Sequence, residues 1–199
     1  MATYTSRYPR TRRRTDDMVR KVRSIIDDAG INYLSITGRA KSPASFSDKV
    51  ARRASELGHT DFDPALDITD QVGVRIITYV HSDIEPVAQL LAENFTVLED
   101  RDMGRETASE GRFGYASRHM LVSTDPDATG YEASKCVSVQ LRTVLQHAWA
   151  EFEHDARYKG DVPPEHASDL DRRFTLAAGL LELADREFSI IRDRLQWGL

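Results

Sequence analysis

The chain has 199 residues, of which 40% are hydrophobic and 30% charged, and this suits one globular domain with an added helical piece. Its formal net charge of −5 argues against a protein that coats nucleic acid with its whole surface. It has a single cysteine, Cys136, no apolar run near the roughly 18 residues of a membrane span, and no signal-peptide pattern, so we expect a cytoplasmic protein without membrane contact.

The first fourteen residues form a basic segment that contains no acidic residue. Its arginines are Arg7, Arg10, Arg12, Arg13 and Arg14. Such a segment suits RNA or another polyanion, but we expect a flexible, solvated arm over residues 1–14. Thr15 then fits a helix N-cap with Asp16 and Asp17 in the first turn, and Gly30 fits the stop of that helix.

Strand and helix patterns are mixed along the rest of the chain. Strands are predicted within residues 31–41, 70–80, 95–100, 113–124 and 135–141. Helices are predicted at 42–58, 82–95, 143–158 and 165–197. Several connections between successive strands are too short for helical crossovers. We therefore predict an α+β fold, with a mixed β-sheet flanked by helices and a long C-terminal helix.

The last predicted helix carries apolar residues at heptad spacing. They are Leu170, Phe174, Ala177, Leu181, Ala184, Phe188, Ile191 and Leu195. Such a seam pairs helices between subunits or packs on the domain's own core, and self-packing is the default. A homo-oligomer formed through this helix is the alternative.

Three predicted strands present polar rows, because side chains i and i+2 point to the same face of a strand. The rows are Ser35, Thr37, Arg39 and Lys41; Tyr115, Ser117 and His119; and Ser138, Gln140 and Arg142. Arginine and lysine bind phosphates and a tyrosine ring stacks on a base, so this face suits an anionic, aromatic ligand. A half-solvated face without a ligand explains the pattern equally well.

Asp70 precedes a buried strand close to these cations. A carboxylate there is suited to holding Mg²⁺ between protein and phosphates, although Asp is also common in turns. His147, Glu151 and His154 share one face of the following helix. A transition-metal site is one interpretation, and a helix that faces a phosphate site is the one we favour.

Four short stretches resemble the RelA/SpoT alarmone synthetase domain in wording, order and spacing. They are TGRAKSPAS (37–45), DQVGVR (70–75), GYASRH (114–119) and VQLRTVLQHAWAEFEH (139–154). Ordered motifs are more specific than any single one. The resemblance implies a nucleotidyltransferase-like synthetase domain at 15–160, followed by a packing or oligomerisation helix at 161–199. The short length predicts a small, stand-alone synthetase, and the wording of GRFGY (111–115) and LQHAWAEFEHD (145–155) resembles the toxin-type branch.

The resemblance implies a Mg²⁺-dependent transfer of pyrophosphate from ATP to the ribose 3′-hydroxyl of GDP or GTP. Arg39 and Lys41 would bind the ATP phosphates, with Ser45 and Lys49 beside them. Arg75 would support this donor site. Such a transfer needs positioning, cations and a metal more than it needs a covalent nucleophile.

The same resemblance assigns the metal and acceptor positions. Asp70 would be the Mg²⁺ ligand, Tyr115 would stack on the acceptor's guanine, and His119 would lie near its phosphates or ribose. The other cleft residues that it implies are Ser117, Gln140 and Arg142.

Ser138 departs from the family pattern, in which a Glu two residues before the Gln holds Mg²⁺ or activates the attacking hydroxyl. A serine neither carries the charge nor accepts a proton readily near neutral pH, and loss of a general base costs about 10²–10⁴-fold in rate. Glu151 and Glu153 are the candidate replacements. The alternatives are thus a slowed synthetase and an inactive nucleotide-binding regulatory module.

The segment before Tyr115 also differs from the family. It reads RDMGRETASEGRFGY in place of a Lys-rich loop, with Arg101, Arg105 and Arg112 as its cations. This difference leaves the acceptor open, because toxin-type relatives use adenine nucleotides or the 3′ end of tRNA. The basic N-terminal segment suits an RNA acceptor.

Overall fold

The computed structural model describes residues 2–57, 63–104, 106, 117–159 and 164–196. The helices are α1 (Ala2–Asp28), α2 (Pro43–Leu57), α3 (Pro64–Asp67), α4 (Ile84–Asn94), α5 (Val144–Lys159) and α6 (Pro164–Gln196). The strands are β1 (Tyr33–Ala40), β2 (Val72–Thr78), β3 (Thr96–Asp102), β4 (Arg118–Ser123) and β5 (Cys136–Thr143). A 3₁₀ turn at His81–Asp83 leads into α4.

The five strands form one sheet in the order β1-β2-β5-β4-β3. Strands β2 and β5 pair in parallel, and the remaining three pairs of this sheet are antiparallel. The predicted α+β fold with a mixed sheet and a long C-terminal helix is therefore confirmed. No helix among the described residues has the length and hydropathy that a membrane crossing requires.

One face of the sheet packs against α1 and α4 to form the main core. Met18, Val22 and Ile26 of α1 are buried there together with Val87 and Leu91 of α4. The strands contribute Ile36, Val72, Val74, Ile76, Met120, Val122, Val137, Val139 and Leu141. Full burial of each large aliphatic side chain contributes roughly 1.5–3 kcal/mol. Because one face is committed to this core, the alternating residues must point to the other face.

Residues 2–14 are the first half of α1, so the predicted flexible arm and the predicted helix start at Thr15 are both wrong. Thr15 lies inside the helix, and its hydroxyl donates a hydrogen bond to the carbonyl oxygen of Thr11. The predicted stop is confirmed, because α1 ends at Asp28 and Gly30 has a φ of +69°.

Long-range contacts hold this first half of α1 in place. The rings of Tyr4 and Phe46 stack with centroids 3.9 Å apart. The Tyr4 hydroxyl donates to the Lys41 carbonyl oxygen at 2.8 Å, and Arg14 donates to the Cys136 carbonyl oxygen at 2.9 Å. All three contacts are made with segments distant in the chain. The arginine-rich composition of residues 2–14 therefore gave no indication of them.

Helix α6 packs on the domain along part of its length. Ala178 is buried against Trp149 of α5, and the Thr143 hydroxyl donates to the Asp185 carboxylate at 2.6 Å. Only part of the predicted apolar seam is buried. Phe174, Ala177 and Leu181 pack in this cluster, whereas Phe188, Ile191 and Leu195 are exposed. Self-packing therefore accounts for only part of the seam.

Candidate active site

A row of residues in register crosses the whole sheet on the face opposite the core. Its members, one from each strand, are Thr37, Arg75, Gln140, His119 and Arg101. Paired residues of neighbouring strands point to the same face. The described members of the polar rows predicted on separate strands therefore form one continuous polar surface. Arg75 of β2 joins the β1 and β5 parts of this surface.

The neighbouring row forms the lowest part of this surface. Arg39 pairs with Gly73, and Gly73 pairs with Ser138. Glycine and serine leave the floor open, and a cavity of about 270 Å³ lies over it. The predicted site residues that line this cavity are Arg39, Lys41, Asp70, Arg75, Ser138, Gln140 and Arg142.

On the side of the cavity next to α2, one acid is held by two lysines. The Asp70 carboxylate lies 3.0 Å from the Lys41 ammonium and 2.9 Å from that of Lys49. Burial raises the pKa of Asp70, but the hydrogen bonds from Lys49 and Lys41 outweigh it and hold the pKa below its usual value. Oδ1 of Asp70 is buried and has no hydrogen-bond partner among the described residues.

The predicted residues Ser45 and Lys49 belong to α2 and do not line the cavity, although Lys49 contacts Asp70, which does. The Ser45 backbone N–H donates to the Ser42 hydroxyl at 3.1 Å, so Ser42 caps the helix as the sequence predicts. Ser45 lies in the first turn, and Lys49 is four residues further along the same face.

A reciprocal capping box starts α5, which follows β5 in the chain. The Thr143 hydroxyl accepts from the Gln146 N–H, and the Gln146 side-chain oxygen accepts from the Thr143 N–H, both at 3.0 Å. This box fixes the angle at which the chain leaves β5 and enters α5. The next helical turns then bring His147 and Glu151 to the sheet.

Glu151 connects α5 to the polar surface. Nη1 of Arg75 donates to Oε1 of Glu151 at 2.9 Å, and Nδ1 of His147 lies 3.6 Å from the same oxygen. Burial and then the Arg75 charge lower the pKa of His147. Burial, followed by the Arg75 charge, also lowers the pKa of Arg142, whose Nε is buried without a hydrogen-bond partner in the described part of the chain.

His119 lies at the far side of the cleft. Its Nε2 is 2.7 Å from the Ser117 hydroxyl, so the two predicted residues are in contact. Burial lowers the pKa of His119, and the charges of Arg142 and Arg101 add to this effect. Tyr115 and most of the segment before it lie outside the described residues.

Glu151 and Glu153, the two candidate replacements for the missing carboxylate, differ in position. Neither residue lines the cavity, but Glu151 contacts Arg75, which does, whereas Glu153 is half-buried on α5. It lies two residues, or roughly 200° around a helix, from Glu151. The described residues contain no group of three His, Cys, Asp or Glu side chains arranged to hold a metal ion, so a transition-metal site at His147, Glu151 and His154 is not supported.

Sequence reasoning overlooked two features of this site. Gly73 opens the floor, and its only signal was a glycine inside a strand pattern. The contact between Arg75 and Glu151 joins residues 76 positions apart. The i, i+4 spacing of His147 and Glu151 indicated which face of α5 points to the site, but it did not identify Arg75 as the residue that this face contacts.

Comparison with known proteins identifies the family to which this chain belongs. Residues 38–162 match the family model described as the region found in RelA / SpoT proteins. The match covers more than half of the chain, which therefore belongs to the RelA/SpoT family. The resemblance carried by the four sequence motifs is thus confirmed.

The relatives are small alarmone synthetases. GTP pyrophosphokinase YjbM of Bacillus subtilis is 31% identical over 165 residues, which cover 81% of this chain and 72% of that protein. Small alarmone synthetase 1 of B. subtilis bound to its product pppGpp aligns with a TM-score of 0.73 at 25% identity, covering 98% of this chain and 100% of that one. The same protein bound to AMPCPP aligns with a TM-score of 0.67 at 25% identity, covering 98% and 99%.

Proposed function

We propose that this protein transfers pyrophosphate from ATP to the 3′-hydroxyl of GDP or GTP. The observation that carries the proposal is the cavity over Gly73 and Ser138, which is lined by Arg39, Lys41, Arg75 and Arg142 together with one carboxylate, Asp70. Such a concentration of cations suits a polyphosphate. The pppGpp and AMPCPP complexes of the B. subtilis relative support nucleotides as the ligands.

The donor site lies on the side of the cavity next to α2 in this proposal. Arg39, Lys41 and Lys49 bind the phosphates of ATP, with Ser45 in the first turn of α2 beside them. Asp70 holds both lysines in the free protein. Bound phosphates then share these lysines with Asp70, and Arg75 adds charge from the floor.

Asp70 is the residue that fits Mg²⁺. Magnesium takes oxygen ligands and is usually held by one or two carboxylates together with substrate phosphates. The unpartnered Oδ1 of Asp70 provides one such oxygen beside the proposed phosphate site. When bound, the ion neutralises charge that develops on the phosphates during transfer.

The acceptor lies toward β4 in this proposal. Tyr115 stacks on the guanine, and Ser117 and His119 contact its ribose or phosphates. Gln140 and Arg142 line the cleft between donor and acceptor. The catalytic assignments of Asp70, Ser138, Gln140 and Glu153 stay predictions from the family resemblance. A reaction that consumes ATP agrees with the expected cytoplasmic location.

A tRNA acceptor is a second candidate, which the exposed arginines of α1 favour. Arg7, Arg10, Arg12 and Arg13 are all exposed, whereas Arg14 is half-buried. The Tyr4 contact with the Lys41 carbonyl oxygen places this basic helix beside the cavity. Electrostatic contacts of this kind bind a nucleic-acid backbone without reading its sequence.

A transfer assay tests the proposal. Purified protein is mixed with Mg²⁺, ATP labelled in its β,γ-phosphates, and GDP, GTP, ATP or tRNA in turn, with Ser138→Glu alongside. We expect label on GDP or GTP, and loss of that label in Arg39→Ala but not in Arg20→Ala, a control on the exposed surface of α1. If the wild-type chain and Ser138→Glu both bind ATP but neither transfers label, the proposed transfer is wrong and the protein is a nucleotide-binding module.

We also propose a homo-oligomer formed through the exposed side of α6. Phe188, Ile191 and Leu195 of the predicted seam are 43%, 52% and 69% exposed, and Leu176 and Leu180 are exposed as well. Sedimentation over a range of concentrations tests this. Leu180→Glu should shift an oligomer to monomer, and sedimentation as a monomer at every concentration would contradict the proposal.

A further inference from the structure

The polar surface lacks a carboxylate on β5, where the family places one. Among the described residues that line the cavity, Asp70 is the one acid. Two lysines hold its Oδ2, and its Oδ1 is the proposed metal ligand. Asp70 is therefore committed to the donor side, and no acid on the floor is left to accept a proton.

Glu151 brings a carboxylate to this place from α5. Its Oε1 is 2.9 Å from Nη1 of Arg75, which lines the cavity. Arg75 pairs with Gln140 in the sheet, and Gln140 points to the same face of β5 as Ser138. The carboxylate is thus held over the row next to the one that contains Ser138.

Glu151 lies near two arginines and a histidine. Arg75 and His147 are its contacts, and its negative charge partly offsets the lowering of the pKa of Arg142. Its side chain is 57% exposed, which leaves it open to a bound nucleotide. A general base must lie within reach of the proton that it accepts.

We infer that Glu151 performs the proton-accepting role that the family assigns to the residue at position 138. The inference rests on the proposed function. The 3′-oxygen of the acceptor forms a bond to the β-phosphorus of ATP, and the bond from that phosphorus to the oxygen bridging the α-phosphate breaks. The bonding electrons leave with AMP, and the hydroxyl proton passes to Glu151.

With this role Glu151 is a catalytic residue. The alternative is that Glu151 only positions Arg75. If Glu151 only positions Arg75, Glu151→Gln should lower the transfer rate by the same factor whether residue 138 is Ser or Glu. A proton-accepting role becomes redundant once a carboxylate is restored on β5. Residues that act as alternatives for one task show such non-additivity.

The experiment compares the wild-type chain, Glu151→Gln, Ser138→Glu and the double variant in the labelled-ATP assay, with ATP affinity measured for each. We expect Glu151→Gln to lower the rate about 10²-fold or more in the wild-type background. In the Ser138→Glu background the same change should cost less than about tenfold. Glu151→Asp should retain part of the rate, and Glu93→Gln, on the exposed face of α4, is the matched control.

Three outcomes would overturn the inference. Equal losses in both backgrounds would make Glu151 a positioning residue. Full transfer by Glu151→Gln would show that another group accepts the proton, while the proposed function would stand. Transfer only after Ser138→Glu would show that Glu151 does not replace the lost carboxylate. Absence of transfer in all four proteins would instead remove the proposed function, and the inference with it.

Discussion

Gly73 of β2 and Ser138 of β5 are directly paired across the one parallel strand pair of the described sheet, and their small side chains create the cavity floor. A Cβ placed on Gly73 would lie 3.5 Å from the nearest atom, the Arg39 carbonyl oxygen. The backbone therefore tolerates a larger residue at this position, and the glycine serves to leave space.

Gly73→Ala should separate stability from ligand binding. Alanine in place of glycine within a strand stabilises by roughly 0.5–1 kcal/mol, because the unfolded chain loses less entropy on folding. The added methyl group enters the cavity, so we expect ATP affinity to fall. Chemical denaturation and ATP titration check the two effects.

Gly38→Ala is the contrasting variant for that experiment. Its Cβ would lie 2.5 Å from Cγ2 of Thr15 and 2.7 Å from Cγ2 of Val19, on the core side of β1. Overpacking of this kind costs roughly 1–3 kcal/mol. A less stable Gly73→Ala, or an unaffected Gly38→Ala, would contradict this account of the two glycines.

Asp70→Asn should destabilise the protein in a pH-dependent manner. The pKa of Asp70 in the folded protein is lower than its ordinary value of 3.8. The ionised carboxylate therefore contributes stability that is fully present above this ordinary value and is lost as the pH falls through the folded pKa. We expect the difference in free energy of unfolding between Asp70→Asn and the wild type to be largest near neutral pH and to shrink in acid.

Denaturation of both proteins over a pH series measures this difference. Asp67→Asn is a suitable control, because Asp67 is an exposed acid of α3, close to Asp70 in the chain. A difference that stays constant into strong acid would show that the two lysines do not stabilise the ionised form.

Tyr4→Phe should weaken the attachment of α1. The phenylalanine keeps the stack on Phe46 but loses the hydrogen bond to the Lys41 carbonyl oxygen. We expect a loss of roughly 0.5–1.5 kcal/mol in the free energy of unfolding. Tyr4→Ala, which also loses the stack, should lose more. Equal stability of wild type, Tyr4→Phe and Tyr4→Ala would show that residues 2–14 do not pack in solution.

Replacing the four exposed arginines of α1 by glutamine should distinguish the two acceptors. The residues are Arg7, Arg10, Arg12 and Arg13. With tRNA as acceptor, transfer should fall steeply and lose most of its salt dependence, because each lost phosphate contact lowers the salt slope by about 0.7–0.9. With GDP as acceptor, transfer should change little. Parallel assays over a salt series measure both, and equal effects on both acceptors would exclude a specific RNA role.

The sequence predicted the parts of the site that depend on local periodicity. Alternation along β1 and β5 correctly placed Arg39, Gln140 and Arg142 on a single face, since the pleat of a strand leaves no other choice. It gave neither strand order nor register. The pairing of Arg75 with Gln140, which joins the rows, depends on which strands become neighbours.

The errors arose where distant residues decide the structure. The arginine-rich start of α1 has the composition of a solvated tail, but Phe46 and the carbonyl groups of Lys41 and Cys136 hold it. Local composition contains no record of such partners. The sequence likewise left open which of Glu151 and Glu153 would contact the sheet, and the contact of Glu151 with Arg75 depends on the rotation of α5.

The parallel pairing of β2 with β5 also determines when the cavity can form during folding. The β3–β4 and β4–β5 pairs join strands that follow one another in the chain, whereas β3 and β4 lie between β2 and β5 in the chain. Closing such a long loop costs entropy before any contact compensates for it, so this pairing is expected to be slow. A partly folded chain would then hold an antiparallel β-meander without a nucleotide site, and recovery of nucleotide binding would time the last step of folding.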